Sequence, residues 1–160
     1  PLKNLLVVDL TRVLVGPYCT MILSDLGARV IKVEAPEIGD DSRKFGPFVK
    51  DYSAYFMSLN RGKESIALNL KNEDDKKIFD KILAKADILV ENFKPGTLEK
   101  WGYGWKDVSK KYPKLIYASA SGFGQTGQSD RNQMQMHILI LDIFCLHLSN
   151  HIPIFLKYLV

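Results

Sequence analysis

Between Leu5 and Glu34 the hydrophobic pattern changes period twice. LLVVDL and RVIKVE are short apolar runs, the pattern of strands buried on both faces of a parallel sheet. Between them Cys19, Ile22, Leu23 and Leu26 recur at helical spacing and predict one buried helix face. Pro17 suits the first turn of that helix, where its missing N–H costs nothing, and Gly27 suits its C-terminal cap. The stretch reads as a β-α-β unit, for which a right-handed crossover is the strong default.

The alternation continues downstream. A polar loop from Ala35 to Tyr52 is broken by Pro36, Gly39, Gly46 and Pro47, and Ser53 to Asn60 reads as a short helix. Glu64 to Leu70 alternates polar and apolar residues, as a third strand does. Asn72 is placed to cap a helix whose first turn holds Glu73, Asp74 and Asp75, where the helix dipole favours acids. Ile78, Phe79, Ile82, Leu83 and Ala86 form its expected buried face. Asp87 to Asn92 reads as a fourth strand, and Thr97 as the cap of a short helix through Trp101. Trp105 to Lys111 forms another helix, and a fifth strand starts at Leu115 and enters the loop SGFGQTG. Strands alternating with helices across short loops specify an α/β fold, a doubly wound parallel sheet.

The pattern stops at Gly127. Residues 1–127 read as one α/β domain, and residues 128–160 as a divergent apolar tail with no clear period. Ile138 to Val160 has the length of a bilayer span, but Asp142, His147, Asn150, His151 and Pro153 argue against insertion. The tail is expected to lie outside the fold, as an alternative exon or a read-through intron would. A chain opening on Pro1 is expected to lack its true N-terminus and any targeting peptide.

Composition narrows the classes. The length of 160 residues suits one domain, and 46% hydrophobic with 25% charged residues is ordinary for a soluble globular protein. A net charge of +4 mildly favours anionic partners, or simply reflects a solvated, lysine-rich surface. Its lysines are scattered and no nucleic-acid recognition motif is present, so no nucleic acid partner is expected. Cys19 and Cys145 make no disulfide framework and point to a reducing compartment.

Several chemistries find no support. TRVLVGP carries one glycine, Gly16, so the glycine fingerprint of a dinucleotide site is absent, and there is no P-loop. His147 and His151 would share a helix face, but no third ligand accompanies them, so no metal site is predicted. Cys19 is expected to pack as a small hydrophobe. Basic residues gather around the third strand (Arg61, Lys63, Lys71) and after the fourth (Lys94, Lys100). Lysines following parallel strands stand at the carboxyl edge, where α/β ligands bind and where they meet phosphates as point charges. Ordinary solvated lysines would show the same pattern.

Five pieces occur in an ordered series: DLTRVLVGP, LGARVIKVEAPEIGDDSR, NRGKESIALNLK, ADILVENFKPGTLEKWG and YASASGFGQTG. Together they resemble the N-terminal part of the class III CoA-transferases, nearest the succinate/glutarate branch, which has a mitochondrial address in animals. The resemblance implies a Rossmann-like large domain, interlocked homodimers, and coenzyme A as a substrate rather than a permanently bound cofactor. Its partners would be an acyl-CoA and a carboxylic acid acceptor. Carried over by motif position, Leu14 and Val15 would line the CoA pocket after the first strand. Leu68, Asn69 and Lys71 would do so after the third, and Asn92, Phe93 and Lys94 after the fourth, with Lys100 near phosphate. Some members carry glutamine at Leu14 and arginine at Ala35. The family nucleophile is an aspartate that attacks the thioester. By position it falls beyond Val160, and neither Asp130 nor Asp142 is in its motif. The resemblance therefore assigns no catalytic residue here and implies a truncated, inactive, aggregation-prone chain, with a non-catalytic CoA-binding fragment as the alternative.

Overall fold

The computed structural model describes residues 1–122. Its strands are β1 (Leu6–Asp9), β2 (Arg29–Glu34), β3 (Phe48–Val49), β4 (Tyr52–Ser53), β5 (Glu64–Ala67), β6 (Ile88–Glu91) and β7 (Ile116–Ser119). Its helices are α1 (Val15–Asp25), α2 (Ala54–Asn60), α3 (Glu73–Leu83), α4 (Thr97–Trp101) and α5 (Trp105–Lys111). Five strands form one parallel sheet in the order β5-β2-β1-β6-β7, and β3 and β4 make a separate antiparallel hairpin. The chain builds outward from β1 to β5, then returns to place β6 on the other side of β1. That reversal defines a topological switch point, the usual ligand position in an open α/β sheet.

Strand alternation gives the sheet two different faces. Val8, Leu10, Val33 and Leu89 join Phe79 and Leu83 of α3, Leu98 of α4 and Val108 of α5 in the main core. Phe79 is fully buried and meets Tyr103 edge-to-face at 4.8 Å. Burying each such large apolar side chain contributes about 2 kcal/mol. The opposite face carries a smaller cluster of Val7, Ala28, Val30, Val90 and Ala118, with Leu23 of α1 against it.

Asn72 caps α3 as expected, its side chain accepting from the Asp74 N–H at 2.9 Å. The buried faces of two helices differ from the periodicity. In α1 the buried residues are Gly16, Pro17, Thr20 and Met21, whereas Ile22 and Leu26 are about two-fifths exposed. The first turns of α1 lie over Asp9 and Thr11, so a hydroxyl and a glycine fit there better than branched hydrocarbon. In α3, Phe79 and Leu83 are buried but Ile78 stays exposed. Thr97 is not a cap: Gly96 holds that position in the left-handed region, at φ 82°. The loop from Ala35 to Tyr52 holds a 3-10 turn at Asp41–Lys44 and the β3–β4 hairpin. Among the described residues no helix is long and apolar enough to cross a membrane. The predicted tail, with His137, His147, His151, Asp130 and Asp142, lies outside the described residues.

Candidate functional site

The turn joining β1 to α1 is held by side chains from three other segments. The Thr11 N–H donates to Asp9 Oδ1 at 2.8 Å, the Arg12 N–H to Asn92 Oδ1 at 2.8 Å, and the Val13 N–H to Asp40 Oδ1 at 3.1 Å. Asn92 also donates from Nδ2 to the Arg12 carbonyl at 2.8 Å, and Lys32 Nζ donates to the Thr11 carbonyl at 2.7 Å. Val13 is thereby fixed at φ 71°, a left-handed conformation costly for a β-branched residue. Gly16 lets α1 close on this turn, since a Cβ there would stand 2.2 Å from Thr11 Cβ. These N–H groups are already satisfied. The turn differs in this from the glycine loops that cradle a pyrophosphate on free backbone donors.

Four buried charges lie under the turn. Asp9 and Lys32 are register partners on adjacent strands. Lys32 pairs with Asp40 at 2.9 Å and Lys63 with Asp9 at 3.0 Å, and every one of these side chains is at most 1% exposed. Lys63 also donates to Asn60 Oδ1 and the Pro17 carbonyl, and Asp9 accepts from Thr20. Buried charges persist only when paired and hydrogen-bonded in this way. Burial pushes Lys63 below the usual lysine range, although Asp9 opposes the shift. Burial alone would raise Asp40, but the Lys32 charge and hydrogen bonds from Lys32 and Ser42 outweigh it and hold the carboxyl below its ordinary value. Glu34 behaves alike: Arg43, Ser65 and the Asp40 N–H overcome its burial and keep it low. Glu91 goes the other way. Burial pushes it up despite hydrogen bonds from Ser119 and the Phe93 N–H.

A cleft of about 560 Å³ opens over the carboxyl ends of β1, β2, β5 and β6. Of the residues expected there, Leu68, Asn69, Lys71 and Phe93 line it. Asn92 serves it indirectly, by clamping Arg12. Leu14 precedes α1 and Val15 is exposed on it, while Lys94 and Lys100 sit at exposed positions. None of these four is among the cleft-lining residues. Arg61 and Lys63 also stand elsewhere: Arg61 pairs with Asp25 at 2.6 Å on the helical side. Residues that periodicity did not suggest complete the cleft, chiefly Arg12, Asp40 and Trp101. Trp101 meets Phe93 edge-to-face at 5.3 Å, and Lys71 Nζ lies 5.9 Å from its ring centroid. The cleft thus sets an aromatic corner beside cations.

A family model described as CoA-transferase family III matches residues 2–142. The chain belongs to this family. It is 58% identical over 127 residues to an acetyl-CoA:oxalate CoA-transferase of Acetobacter aceti, covering 79% of this chain and 33% of that protein. It is 50% identical over 128 residues to the succinyl-CoA:glutarate CoA-transferase of Homo sapiens, covering 79% and 29%. Among solved structures, a CAIB/BAIF family protein from Brucella suis superposes with a TM-score of 0.75 at 45% identity, over 80% of this chain and 35% of that one. The chain therefore spans about a third of the length of these family III relatives.

Proposed function

We propose that residues 1–122 form the coenzyme A-holding part of a transferase that moves CoA between carboxylic acids, with dicarboxylates as the acids. The observation that carries this is the cleft, lined over the carboxyl edge of the sheet by the Phe93–Trp101 pair, by Lys71 beside Trp101 and by Arg12. A flat adenine suits the aromatic corner, and phosphates suit the cations. Leu68 and Asn69 would contact the nucleotide directly, and Asn92 would act by fixing the β1–α1 turn. Leu14, Val15, Lys94 and Lys100 would contact CoA from outside this cleft. The similarity to transferases named for oxalate and glutarate supports the choice of acid class. Family likeness is also what supports a paired subunit and a mitochondrial address.

The carboxylate nucleophile of such a transfer is not supplied by Asp9 or Asp40. Both are buried and committed to lysines, and a nucleophile must be free to meet the thioester. The part of residues 1–122 is to bind and orient the thioester's nucleotide. Calorimetric titration of the 160-residue chain with CoA, and separately with NAD, tests this. Saturable one-to-one binding of CoA with no heat from NAD is expected. The reverse preference, or no CoA binding by a folded sample, would contradict it.

A further inference from the structure

Arg12 has its backbone fixed and its side chain exchangeable. Its N–H and carbonyl are both held by Asn92, so its Cα cannot leave the cleft. Its guanidinium meets Asp41 at 2.7 Å, and the two side chains are 41% and 48% exposed. A half-exposed pair of this kind is worth little, because water and salt screen it. The other charges lining the cleft differ. Lys32 is buried and fully used by Asp40 and Thr11, and Glu34 is gripped by Arg43 through two contacts of 2.7 Å. Lys71, the other cation lining the cleft, offers a point charge beside the Trp101 ring, 5.9 Å from its centroid, so Arg12 is the cleft cation with a rigid base, a planar donor fork and a weakly held partner.

We infer that Arg12 reads an anionic group at the β1–α1 rim of the cleft, and that Asp41 is a built-in competitor holding its place until that group displaces it. The inference rests on the CoA reading. The group displacing Asp41 presents two oxygens to the fork, as a phosphate or a carboxylate does. Asp41 opens the 3-10 turn that follows Asp40, so its release frees one of the contacts tying the 35–45 wall to the β1–α1 turn. Asp40 keeps its hold on Val13, so the floor stays in place while the rim exchanges partners.

The sign of one variant separates this from a purely structural salt bridge. Removing the competitor should tighten binding. Asp41→Asn in the 160-residue chain is expected to strengthen CoA binding about two- to fivefold, the range of a half-exposed pair. Arg12→Gln is expected to weaken it about tenfold, and Arg12→Lys to restore only part of the loss. Asn92 grips backbone only, so neither change at Arg12 removes its anchor.

Three further ligands locate the anion. If the Arg12→Gln loss disappears with dephospho-CoA, Arg12 reads the 3′-phosphate; if it disappears only with pantetheine, Arg12 reads the pyrophosphate. A loss seen with succinyl-CoA and not with acetyl-CoA assigns it to the acyl carboxylate. Asp41→Asn binding that is unchanged or weaker with both CoA and succinyl-CoA, while wild type binds CoA, would overturn the inference and leave the CoA reading standing. Absence of CoA binding by the folded wild-type chain would overturn both.

Discussion

Across one face the sheet meets hydrocarbon from α3, α4 and α5; across the other, a small apolar cluster around Val7 and Val30 gives way, toward the carboxyl edge, to two aspartates and two lysines. The first face interdigitates Phe79, Leu83, Leu89, Leu98 and Val108, and any well-filled apolar set would serve there. On the second face Asp9, Lys32 and Asp40, with the Asn92 amide, fix three consecutive backbone positions, Thr11 to Val13, and Lys63 neutralises Asp9. Buried ion pairs add little to stability over apolar groups of the same shape. What they add here is direction, since Asp9, Lys32 and Asp40 each anchor one named atom of the turn. The contrast separates an apolar core that keeps the domain folded from buried charges that keep the β1–α1 rim of the cleft in register.

The largest effects should come from breaking either face, with different consequences. Phe79→Ala should cost about 3–5 kcal/mol in urea unfolding through the cavity it leaves. CoA affinity of the molecules that remain folded should hold. Asp9→Ala should cost a similar 3–5 kcal/mol or so by stranding Lys63 in the interior. Here affinity should fall as well, because Thr11 loses its acceptor. Gly16→Ala should be milder, about 1–3 kcal/mol of overpacking against Thr11, with α1 displaced at its start.

Acid should attack the polar face first. Asp40 and Glu34 lie below their ordinary values, so the stability they contribute is fully present above the unfolded carboxyl range of about 3.9 to 4.3. It is lost as pH falls through their folded values. Glu91, which is raised, acts in the opposite sense: it lowers stability as pH rises from its unfolded value through its folded one. Urea midpoints measured from pH 6 to pH 3 should therefore decline, and Glu91→Gln should raise the upper part of that curve. The smallest effect belongs to the solvent side of α3, where Lys77→Ala removes an exposed pair with Asp74 and should change stability by no more than about 0.5 kcal/mol.

The fold was legible because alternation and capping are local. Apolar runs marked β1 and β6, Asn72 and three acids marked the start of α3, and Trp105 to Lys111 appeared as a helix at its observed bounds. The polar face was not legible, because its partners are far apart in sequence. Lys63 meets Asp9 across 54 positions, and Asn92 meets Arg12 across 80. One local sign did exist: Lys32 and Glu34 interrupt a strand whose other features require burial on both faces, and a charge there must find a partner. The order of the loop from Ala35 to Tyr52 has no period in the sequence for a related reason. It comes from side chains, with Asp40 gripping Ser42 and Val13 while Glu34 grips Arg43, and such contacts have no period. For the site, Leu68, Asn69, Lys71 and Phe93 came from family likeness and do line the cleft. Arg12 and Trp101 needed the folded chain to bring them there.

The central claim is that the buried charges hold the β1–α1 rim of the cleft in register, while Phe79, in the apolar core and not lining the cleft, contributes to folding only. Two variants test it side by side. Asp9→Asn/Lys63→Gln neutralises the buried pair while keeping hydrogen-bonding groups in place, and Phe79→Leu loosens the apolar face. Both are titrated with CoA under conditions where each is folded by circular dichroism. The prediction is that the double variant binds about tenfold more weakly while Phe79→Leu binds as wild type. Equal affinity in the double variant, or a loss confined to Phe79→Leu, would contradict the account.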